Sequence, residues 1–562
     1  MPETHEAGQK PLTFDLTRQP WIGVLRRDGT QEELSLRDLF TQAADLRRLT
    51  GGLPTQEFAL LRLLLAMAHD AFDGPKDIEH WARLWDDPHC FDALTGYLDE
   101  HRGRFDLLDE KAPFFQTAGL RTEKNEVASL NRIVADVPNG EPFFSARMPE
   151  VGRLGFAEAA RWVVHAHAYD TSGIKSGMVG DRRAKGGKVY PLGVGWAGSL
   201  GGVFAEGRNL RETLLLNLVA ADAVDFDTNG PKDLPAWRRE LGPQGAERPP
   251  AGLRDLYTWQ SRRLRLHADT DGVTGVVLGY GDPLNARNMH TREPMTAWRR
   301  SPAQEKKHGE PLVYLPREHA PERSAWRGLA SLVADREQNR PDGSGPPSHL
   351  RPGILDWTAR LVTRRKLKRG FLIKARIIAT VYGTQQSVVD EVVDDHLTMD
   401  VVLLHEQDRD YATQAIDAVK DAELAVNTLS DLATDLERAA GSENESPRLT
   451  ARDRAFADLE GPYRAWLAHL GQAEDPFKQR EAWKTQVHAI LTRHGRQLVA
   501  EAGDAAWQGR LVSSKQGSLW LNSALADKWF RARLRKNLGL PAFPEQPSAP
   551  DTEAEPSPKV HT

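Results

Sequence analysis

The segment DYATQAIDAVKDAELAVNTLSDLATDLERAA, residues 410–440, is the most informative about the fold class of this chain. It is a long helical pattern without a glycine or a proline. Comparable helical patterns with few glycines cover residues 385–406, 450–470 and 476–502, and a further helical piece covers residues 519–538. Short polar segments such as GSENESP, residues 441–447, separate them. Long amphipathic helices joined by short polar loops predict a helical bundle.

The chain before this bundle mixes helical and strand patterns. An apolar run at residues 20–24 precedes an Asp-Gly pair, which predicts a hairpin. A strand is predicted over residues 272–280, where β-branched residues alternate with glycines. Helices are predicted over residues 35–49, 55–71, 157–168 and 210–221.

The fold class predicted from these patterns is α+β, with a large mixed N-terminal domain followed by a C-terminal helical (four-helix) bundle. The mixed domain is placed at residues 12–380 and the bundle at residues 381–540. The polar N-terminus, residues 1–11, and the tail at residues 541–562, rich in Pro, Ser and Glu, are predicted to be disordered.

Composition excludes several classes of protein. A chain of 562 residues is too long for one core. The net charge of −5 excludes a uniformly basic nucleic-acid binder, so any such contact must come from local patches. Cys90 is the only cysteine, which excludes an internal disulfide and a cysteine zinc site. Without an apolar run of about 18 residues or a signal-peptide core, the chain is predicted to be cytoplasmic, with no membrane partner.

A glycine-rich stretch at residues 169–202 is the strongest functional signal. It holds ten glycines, with Asp181 the single acid among its basic residues Lys175, Arg182, Arg183, Lys185 and Lys188. Glycine allows a backbone to approach a ligand closely, and basic side chains suit a polyanion. The stretch predicts a surface that holds a nucleic-acid backbone. The alternative is a flexible loop with solvated charges.

A second basic cluster lies between residues 364 and 376. Seven positive charges fall there without an acid: Arg364, Arg365, Lys366, Lys368, Arg369, Lys374 and Arg376. A solvated helix face usually mixes signs, so the run favours phosphate contact. A surface patch or a site for an acidic protein is the alternative, as it is for a third cluster at residues 531–536.

No set of residues predicts catalysis. The string at Gly193–Gly198 fits the dinucleotide fingerprint, but it is followed by further glycines and not by a helix that could hold a pyrophosphate. Asp394, Asp395 and His396 lie on a predicted helix, where they form a solvated face. Because no carboxylate pair, triad or metal cluster stands out, we predict a binding protein that is not an enzyme and needs no cofactor or metal.

Several motifs together resemble one known family. FDL (residues 14–16), QPWIGV (residues 19–24), an Asp-Gly turn and LSL (residues 34–36) are similar to the opening of the CasA-type large subunit of Cascade, the type I-E CRISPR surveillance complex. IKSG (residues 174–177), the glycine pair at residues 186–187 and LRETLLLN (residues 210–217) resemble later parts of the same family.

The resemblance implies a function. The large subunit of this family recognises the short PAM motif in double-stranded target DNA, helps open the duplex for pairing with the guide RNA, and recruits a helicase–nuclease. Its other partners would be the remaining Cascade subunits, and its bundle would dock on the small subunits and contact the displaced strand. Two alternatives remain open from the residues: a nucleotide-binding enzyme built on Gly193–Gly198, and a scaffold without DNA contact.

The resemblance also implies particular DNA-binding residues. The glycine loop falls on residues 170–173, with Gly173 as its glycine and Lys175 following in frame; some relatives have a run of glycines where this chain has one. A loop near the PAM falls on Phe143, Phe144 and Ser145.

Two further positions are implied by the same resemblance. A basic finger for the minor groove falls near Arg287, with Asn288 and Arg292 as alternatives. A glutamine wedge that parts the first base pair falls on Gln386, with Gln385 as the alternative, in the string YGTQQ (residues 382–386). Arg364, Arg365 and Lys368 would add phosphate contacts.

Overall fold

The computed structural model describes residues 11–135, 150–223, 232–240, 245–333, 345–368, 370–405, 408–514 and 517–541. The chain divides into two compact units. One comprises Met1–Ile416 and Leu467–Glu474, and the other comprises Asp417–Trp466 and Asp475–Thr562.

The described strands are β1 Ile22–Arg26, β2 Gln31–Leu34, β3 Leu46–Leu49, β4 Lys175–Ser176, β5 Lys188–Val189, β6 Gly202–Glu206, β7 Arg262–Asp269, β8 Gly272–Tyr280, β9 Trp298–Arg300, β10 Tyr314–Pro316, β11 His349–Leu350, β12 Leu372–Tyr382, β13 Val389–Asp400, β14 Arg510–Ser514 and β15 Gly517–Leu521. The described helices are α1 Leu36–Thr41, α2 Pro54–Ala71, α3 Ile78–Asp86, α4 Ala93–Glu100, α5 Phe156–Tyr169, α6 Trp196–Leu200, α7 Leu210–Leu216, α8 Leu253–Tyr257, α9 Pro302–His308, α10 Ala330–Val333, α11 Gly353–Thr363, α12 Arg409–Ala440, α13 Ser446–Leu470, α14 Pro476–Glu501, α15 Gly503–Gln508 and α16 Ser523–Asn537.

Helix α2 forms the centre of the first unit. Its side chains are buried on all sides between α5, α8 and β12, as its nearly continuous apolar sequence requires. Arg62 of this helix is fully buried and pairs with the equally buried Glu293 at 2.7 Å. Its guanidinium also lies 4.1 Å from the ring centre of Tyr257 and 4.4 Å from that of Trp196. A buried charge pair with this many partners fixes the position of α2 relative to the loops around it.

The strands of the described sheets pair antiparallel. The first unit holds the sheets β2-β1-β3, β10-β9-β11 and β13-β12-β6 and the hairpins β4-β5 and β7-β8. The strand predicted over residues 272–280 is confirmed as β8. The helix predicted over residues 35–49 is correct only for α1, because Leu46–Leu49 instead pairs with β1.

The helix predicted over residues 385–406 is wrong. Val389–Asp400 is a strand that pairs with β12 along its whole length, from Leu372↔Asp400 to Tyr382↔Val389. Most of its charged residues are exposed, and its valines are half-buried. This polar sequence forms a strand because the pairing with β12 stabilises it. The predicted boundary between residues 380 and 381 falls in β12, and the first unit instead extends to Ile416.

The change from helix to strand also relocates two acids. Successive residues of a strand face opposite sides, so Asp394 and Asp395 do not share a face. Asp394 pairs with Arg376 at 2.7 Å, and Asp395 accepts a hydrogen bond from the backbone N–H of Ala325. The predicted solvated helix face therefore does not exist.

The second unit is helical, which confirms the predicted C-terminal bundle and the α+β fold class. Trp483 of α14 is buried and donates from its indole N–H to the carbonyl oxygen of Ala418 in α12. A Cβ on Gly495 would lie 2.3 Å from the ring of Phe530, so glycine permits the close packing of α14 on α16. The helical piece predicted over residues 519–538 begins later, at Ser523, because Gly517–Leu521 pairs with β14.

Within the described ranges, we find no helix that is both long enough and apolar enough to cross a membrane.

Candidate nucleic-acid interface

The glycine-rich stretch is an ordered hairpin followed by a short helix. Strands β4 and β5 pair through Lys175↔Val189 and Ser176↔Lys188. The turn before β5 contains Gly186 and Gly187 with φ values of 58° and 73°, a conformation that favours glycine. The hairpin fixes the direction of the basic residues that the sequence placed in a loop.

Two side chains from the β7–β8 hairpin hold the loop at residues 170–173. The guanidinium of Arg262 forms an ion pair with Asp170 and donates to the carbonyl oxygens of Asp170, Thr171 and Gly193 at 3.0–3.1 Å. The hydroxyl of Tyr280 donates to the carbonyl oxygen of Gly173 at 2.6 Å and accepts from its N–H at 3.1 Å. The loop is therefore held in one conformation by buried groups beneath it.

Lys175 is part of this support. Its ammonium lies 2.7 Å from Asp170, and its side chain is only 10% exposed. Burial lowers the pKa of Lys175, with the charge of Asp170 acting in the opposite direction. Burial acts to raise the pKa of Asp170, but the charges of Lys175 and Arg262 outweigh it and lower that pKa. The ammonium predicted to contact phosphate is thus already engaged by a carboxylate.

The exposed cations of the hairpin are different residues. Arg182, Lys185 and Lys188 are exposed, and no ion pair is formed by them within the described part of the chain. Arg183, in contrast, pairs with Asp181 at 2.8 Å and donates to the carbonyl oxygens of Tyr280 and Gly281. Of its five basic residues, the hairpin therefore presents three to solvent and engages two, Lys175 and Arg183, in internal ion pairs.

Gln386 lies at the turn between β12 and β13, and not at the start of a helix as predicted. Gln385 and Gln386 are both exposed and have φ values of 57° and 56°. Each left-handed residue other than glycine costs roughly 1–2 kcal/mol, and such residues cluster at functional sites. The N–H of Gln386 donates to the carbonyl oxygen of Gly383 at 2.9 Å, which closes the turn.

The structure brings this turn and the glycine loop together. The N–H of Ser172 donates to the carbonyl oxygen of Gln386 at 2.8 Å. The hydroxyl of Tyr382, at the end of β12, donates to the carbonyl oxygen of Tyr169 at 2.8 Å. The glycine loop and the Gln385–Gln386 turn, which the family resemblance assigned to the same DNA-binding function, therefore lie next to each other.

Arg287 lies in the loop between β8 and β9. It pairs with Glu310 at 3.2 Å, and its side chain is 27% exposed. Asn288 adopts a left-handed conformation and accepts from the N–H of Tyr314, while Arg292 donates to the carbonyl oxygen of Pro250. Across the described ranges, no hydrogen bond or ion pair joins Arg287 to the glycine hairpin.

Phe143, Phe144 and Ser145 lie outside the described residues.

The basic run divides into two groups. Arg364, Arg365 and Lys368 are exposed after the end of α11, without an ion pair to any described residue. The remaining described members are paired with acids from distant segments: Lys366 with Glu79 at 2.6 Å, Lys374 with Glu206 at 3.1 Å, and Arg376 with Glu57 at 2.8 Å. The sequence between residues 364 and 376 contains no acidic residue, but in the folded chain acidic residues from other segments pair with these three cations.

Packing explains two of the glycines in Gly193–Gly198, and the third, Gly193, has a φ value of 102° that favours glycine. A Cβ on Gly195 would lie 2.4 Å from the backbone of Ala168, and a Cβ on Gly198 would lie 2.1 Å from the hydroxyl of Tyr382. The five-residue α6 begins within this string, and Gly201 and then strand β6, which pairs antiparallel with β12, follow it. A dinucleotide fold requires a parallel βαβ unit, so this segment lacks that context.

Sequence reasoning missed the residues that support the site. Arg262 and Tyr280 stand opposite each other in the paired register of β7 and β8. Tyr280 ends the predicted strand, but nothing in the sequence indicates that its hydroxyl contacts Gly173. Within the described ranges, no cluster of three or more His, Cys, Asp or Glu side chains could hold a metal ion.

The chain is similar to one class of known proteins. This is a CRISPR-associated protein: the family model of CRISPR-associated protein Cse1 matches residues 15–494. The chain belongs to the Cse1 family, and the predicted resemblance to the CasA-type large subunit is confirmed.

Relatives agree with this assignment. The CasA/Cse1 protein of Thermus thermophilus is 31% identical over 336 residues, which cover 57% of this chain and 60% of that relative, less than two thirds of its length. The crystal structure of Thermobifida fusca Cse1 is 56% identical, with a TM-score of 0.87 over 94% of this chain and 98% of that one. A chain of a CRISPR RNA-guided surveillance complex shares the fold at 18% identity, with a TM-score of 0.68 over 93% and 100% of the two chains.

Proposed function

We propose that this protein is the large, non-enzymatic subunit of a CRISPR RNA-guided surveillance complex. In that complex it recognises the PAM in double-stranded target DNA, helps open the duplex for pairing with the guide RNA, and recruits the helicase–nuclease. Membership of the Cse1 family supports the assignment to the complex. The other subunits and the guide RNA are its partners, and it works in the cytoplasm without a cofactor.

The contact between Ser172 and Gln386 is the observation that carries the proposal. It holds an exposed, left-handed glutamine turn against a loop that buried side chains fix from below. A wedge must be held firmly, because parting a base step costs a few kcal/mol. The carbonyl of Gln386 takes part in the contact, so its side chain is left to enter the duplex.

The glycine loop would read the motif beside this wedge. The minor groove presents acceptors at most base edges and a donor only on guanine, so a cation beside a closely approaching backbone can read a short motif loosely. Because Gly173 has no side chain, the backbone of the loop can approach the DNA closely at residue 173. Arg287 would supply the cation, since its partly exposed ion pair with Glu310 is worth little and can be exchanged for DNA.

Phosphate contacts would come from the exposed cations. Arg182, Lys185 and Lys188 lie on the hairpin, and Arg364, Arg365 and Lys368 follow α11. Such contacts hold the duplex without reading its sequence. In this proposal Lys175 fixes the glycine loop through its ion pair with Asp170. Phe143, Phe144 and Ser145 would form a further loop that contacts DNA beside the PAM.

The test uses the assembled complex and target duplexes with a randomised flanking motif. Electrophoretic mobility shift followed by sequencing of the bound fraction should recover a short motif, and binding should strengthen as salt falls. Binding without motif enrichment would contradict PAM recognition and favour a scaffold. Saturable binding of ATP or NAD by the chain would favour a nucleotide enzyme.

A further inference from the structure

A cleft of about 560 Å³ lies beside the glycine loop, within the first unit. One wall is the segment at residues 122–132, the other is the β4–β5 hairpin, and β8 forms the floor. Backbone contacts hold both walls in place: Ala128 pairs with Val276 of the floor, and the N–H of Val179 donates to the carbonyl oxygen of Arg121. Its volume is in the range of small-ligand sites.

The charge of the cleft is positive. Lys124, Arg132, Lys175 and Lys188 line it against the two carboxylates of Glu123 and Glu126. Lys124 and Glu126 approach to 3.9 Å and are largely solvated, so they offset each other. Arg132 and Lys188 are exposed on facing walls, and neither has an ion pair within the described part of the chain.

The positive charge of Lys175, the nearly buried cation of the cleft lining, is only partly compensated. Asp170 is a single carboxylate shared by two buried cations, Lys175 and Arg262. The charge of Arg132 adds to the repulsion that acts on Lys175. Buried charge without full compensation is costly, so an anion held between Arg132 and Lys188 would also reduce the repulsion that acts on Lys175.

The cleft also offers apolar surface at its mouth. Ile174 on the hairpin is 54% exposed, and Val127 on the facing wall is 46% exposed. Val276 and Leu278 of the floor are buried, so Ile174 and Val127 supply the apolar surface that a ligand in the cleft could contact. A ligand with an anionic group and a flat or apolar body matches this arrangement, whereas a bare inorganic anion would leave the apolar part unused.

We propose that this cleft binds one nucleotide of a single-stranded nucleic acid, with its phosphate between Arg132 and Lys188 and its nucleoside against Ile174 and Val127. The inference rests on the proposed function, because an opened duplex or a guide RNA supplies unpaired nucleotides near the glycine loop. DNA and RNA strands share this chemistry, and the experiment separates them.

Ser176 provides a local probe, because it is exposed and lines the cleft. The native Cys90 is only 5% exposed, so in a full-length Ser176→Cys variant iodoacetamide should react mainly at the introduced thiol. Short oligothymidylate or oligouridylate should slow alkylation several-fold, and the more effective oligomer identifies the strand. Unchanged alkylation with both oligomers would overturn the proposal, as would equal protection by inorganic phosphate alone.

Second-site variants test the geometry. In the Ser176→Cys background, Arg132→Gln and Lys188→Gln should each remove most of the protection. Arg121→Gln is the matched control, because Arg121 is exposed next to the wall at residues 122–132 but does not line the cleft. Equal loss with Arg121→Gln would show general electrostatic attraction and contradict a built site. Val127→Trp, which narrows the mouth without a change of charge, should also abolish protection while the melting temperature stays unchanged.

Failure of this inference can be told apart from failure of the proposed function. If oligomers do not protect the introduced thiol but the assembled complex still selects a PAM, only the cleft proposal fails. If they protect it and the complex shows no motif preference, the proposed function fails and the nucleotide site stands.

Discussion

The backbone N–H of Ser172 donates a 2.8 Å hydrogen bond to the carbonyl oxygen of Gln386. Ser172 is buried in the loop that follows α5, and Gln386 is exposed at the turn of the β12–β13 hairpin. The bond uses backbone atoms on both sides, so substitution of either side chain leaves it in place. Side-chain variants of Gln386 therefore report on the side chain alone.

Gln386→Ala should separate PAM capture from strand opening. The alanine keeps the hydrogen bond to Ser172, so capture of a closed duplex should remain close to normal. Opening should slow, because the cost of unstacking the first base pair, a few kcal/mol, is no longer offset. The measurement is R-loop formation in the assembled complex, by permanganate reactivity of the displaced strand.

A target with mismatched bases beside the PAM should rescue Gln386→Ala, because it is already open. Gln385→Ala is the matched control, since Gln385 shares the turn, the exposure and the left-handed backbone. Equal opening rates for Gln386→Ala and wild type on the paired target would rule out the wedge. Slower opening with Gln385→Ala alone would move the role to that residue.

Tyr280→Phe should loosen the glycine loop. It removes the hydroxyl that bonds both the carbonyl oxygen and the N–H of Gly173. We expect a loss of about 1 kcal/mol in PAM-duplex binding, roughly fivefold in affinity. Tyr190→Phe, at an exposed tyrosine of the same stretch, should have a smaller effect. Unchanged PAM affinity in Tyr280→Phe, by fluorescence anisotropy, would mean that the loop needs no such support.

The two halves of the basic run should behave differently. Reversal of Arg364, Arg365 and Lys368 to Glu should weaken binding to all duplexes alike. It should also lower the salt dependence of binding, by about 0.9 in log–log slope for each phosphate that the variant no longer neutralises. An effect confined to one PAM would contradict the phosphate assignment. Titrations of PAM and non-PAM duplexes at several salt concentrations provide the measurement.

Arg376→Met should act on stability instead. It removes the cation that Glu57 and Asp394 share, and the largely buried Glu57 then keeps only Arg48 as a partner. Loss of one member of a buried ion pair lowers the free energy of unfolding by about 3–5 kcal/mol, and the remaining pair with Arg48 should make the loss smaller than this. Urea denaturation of the full chain should show a lower midpoint, and a midpoint within error of wild type would contradict the role of this pair.

Acid should destabilise the first unit through buried histidines. Burial lowers the pKa of His165 and of His167 from 6.5 to about 4. The unfolded chain therefore binds more protons between pH 6.5 and 4, so stability is lost as pH falls through this window, by up to roughly 3 kcal/mol for each histidine. His165→Gln, which can keep the contact with Thr55, should reduce the slope of urea midpoint against pH. Parallel slopes for variant and wild type would refute this linkage.

Elements with a strong local signal could be predicted from the order of amino acids alone. The 410–440 pattern predicted a helical bundle because its apolar residues recur at helical spacing, and Gly272–Tyr280 predicted a strand from its composition. The family was identified from short motifs at residues 14–36 and 174–217. The same local reasoning was wrong for Val389–Asp400, whose polar sequence becomes a strand only by pairing with β12.

Which charges are free and which segments meet depends on the packed fold. Lys175 and Arg376 belong to basic runs in sequence, but Asp170 and Glu57 neutralise them from other elements. The contact of Ser172 with Gln386 arises because α5 and β12 end side by side, where Tyr382 bonds Tyr169. The free energy of an ion pair or a hydrogen bond depends on distance and burial, which a sequence does not contain and the packed fold supplies.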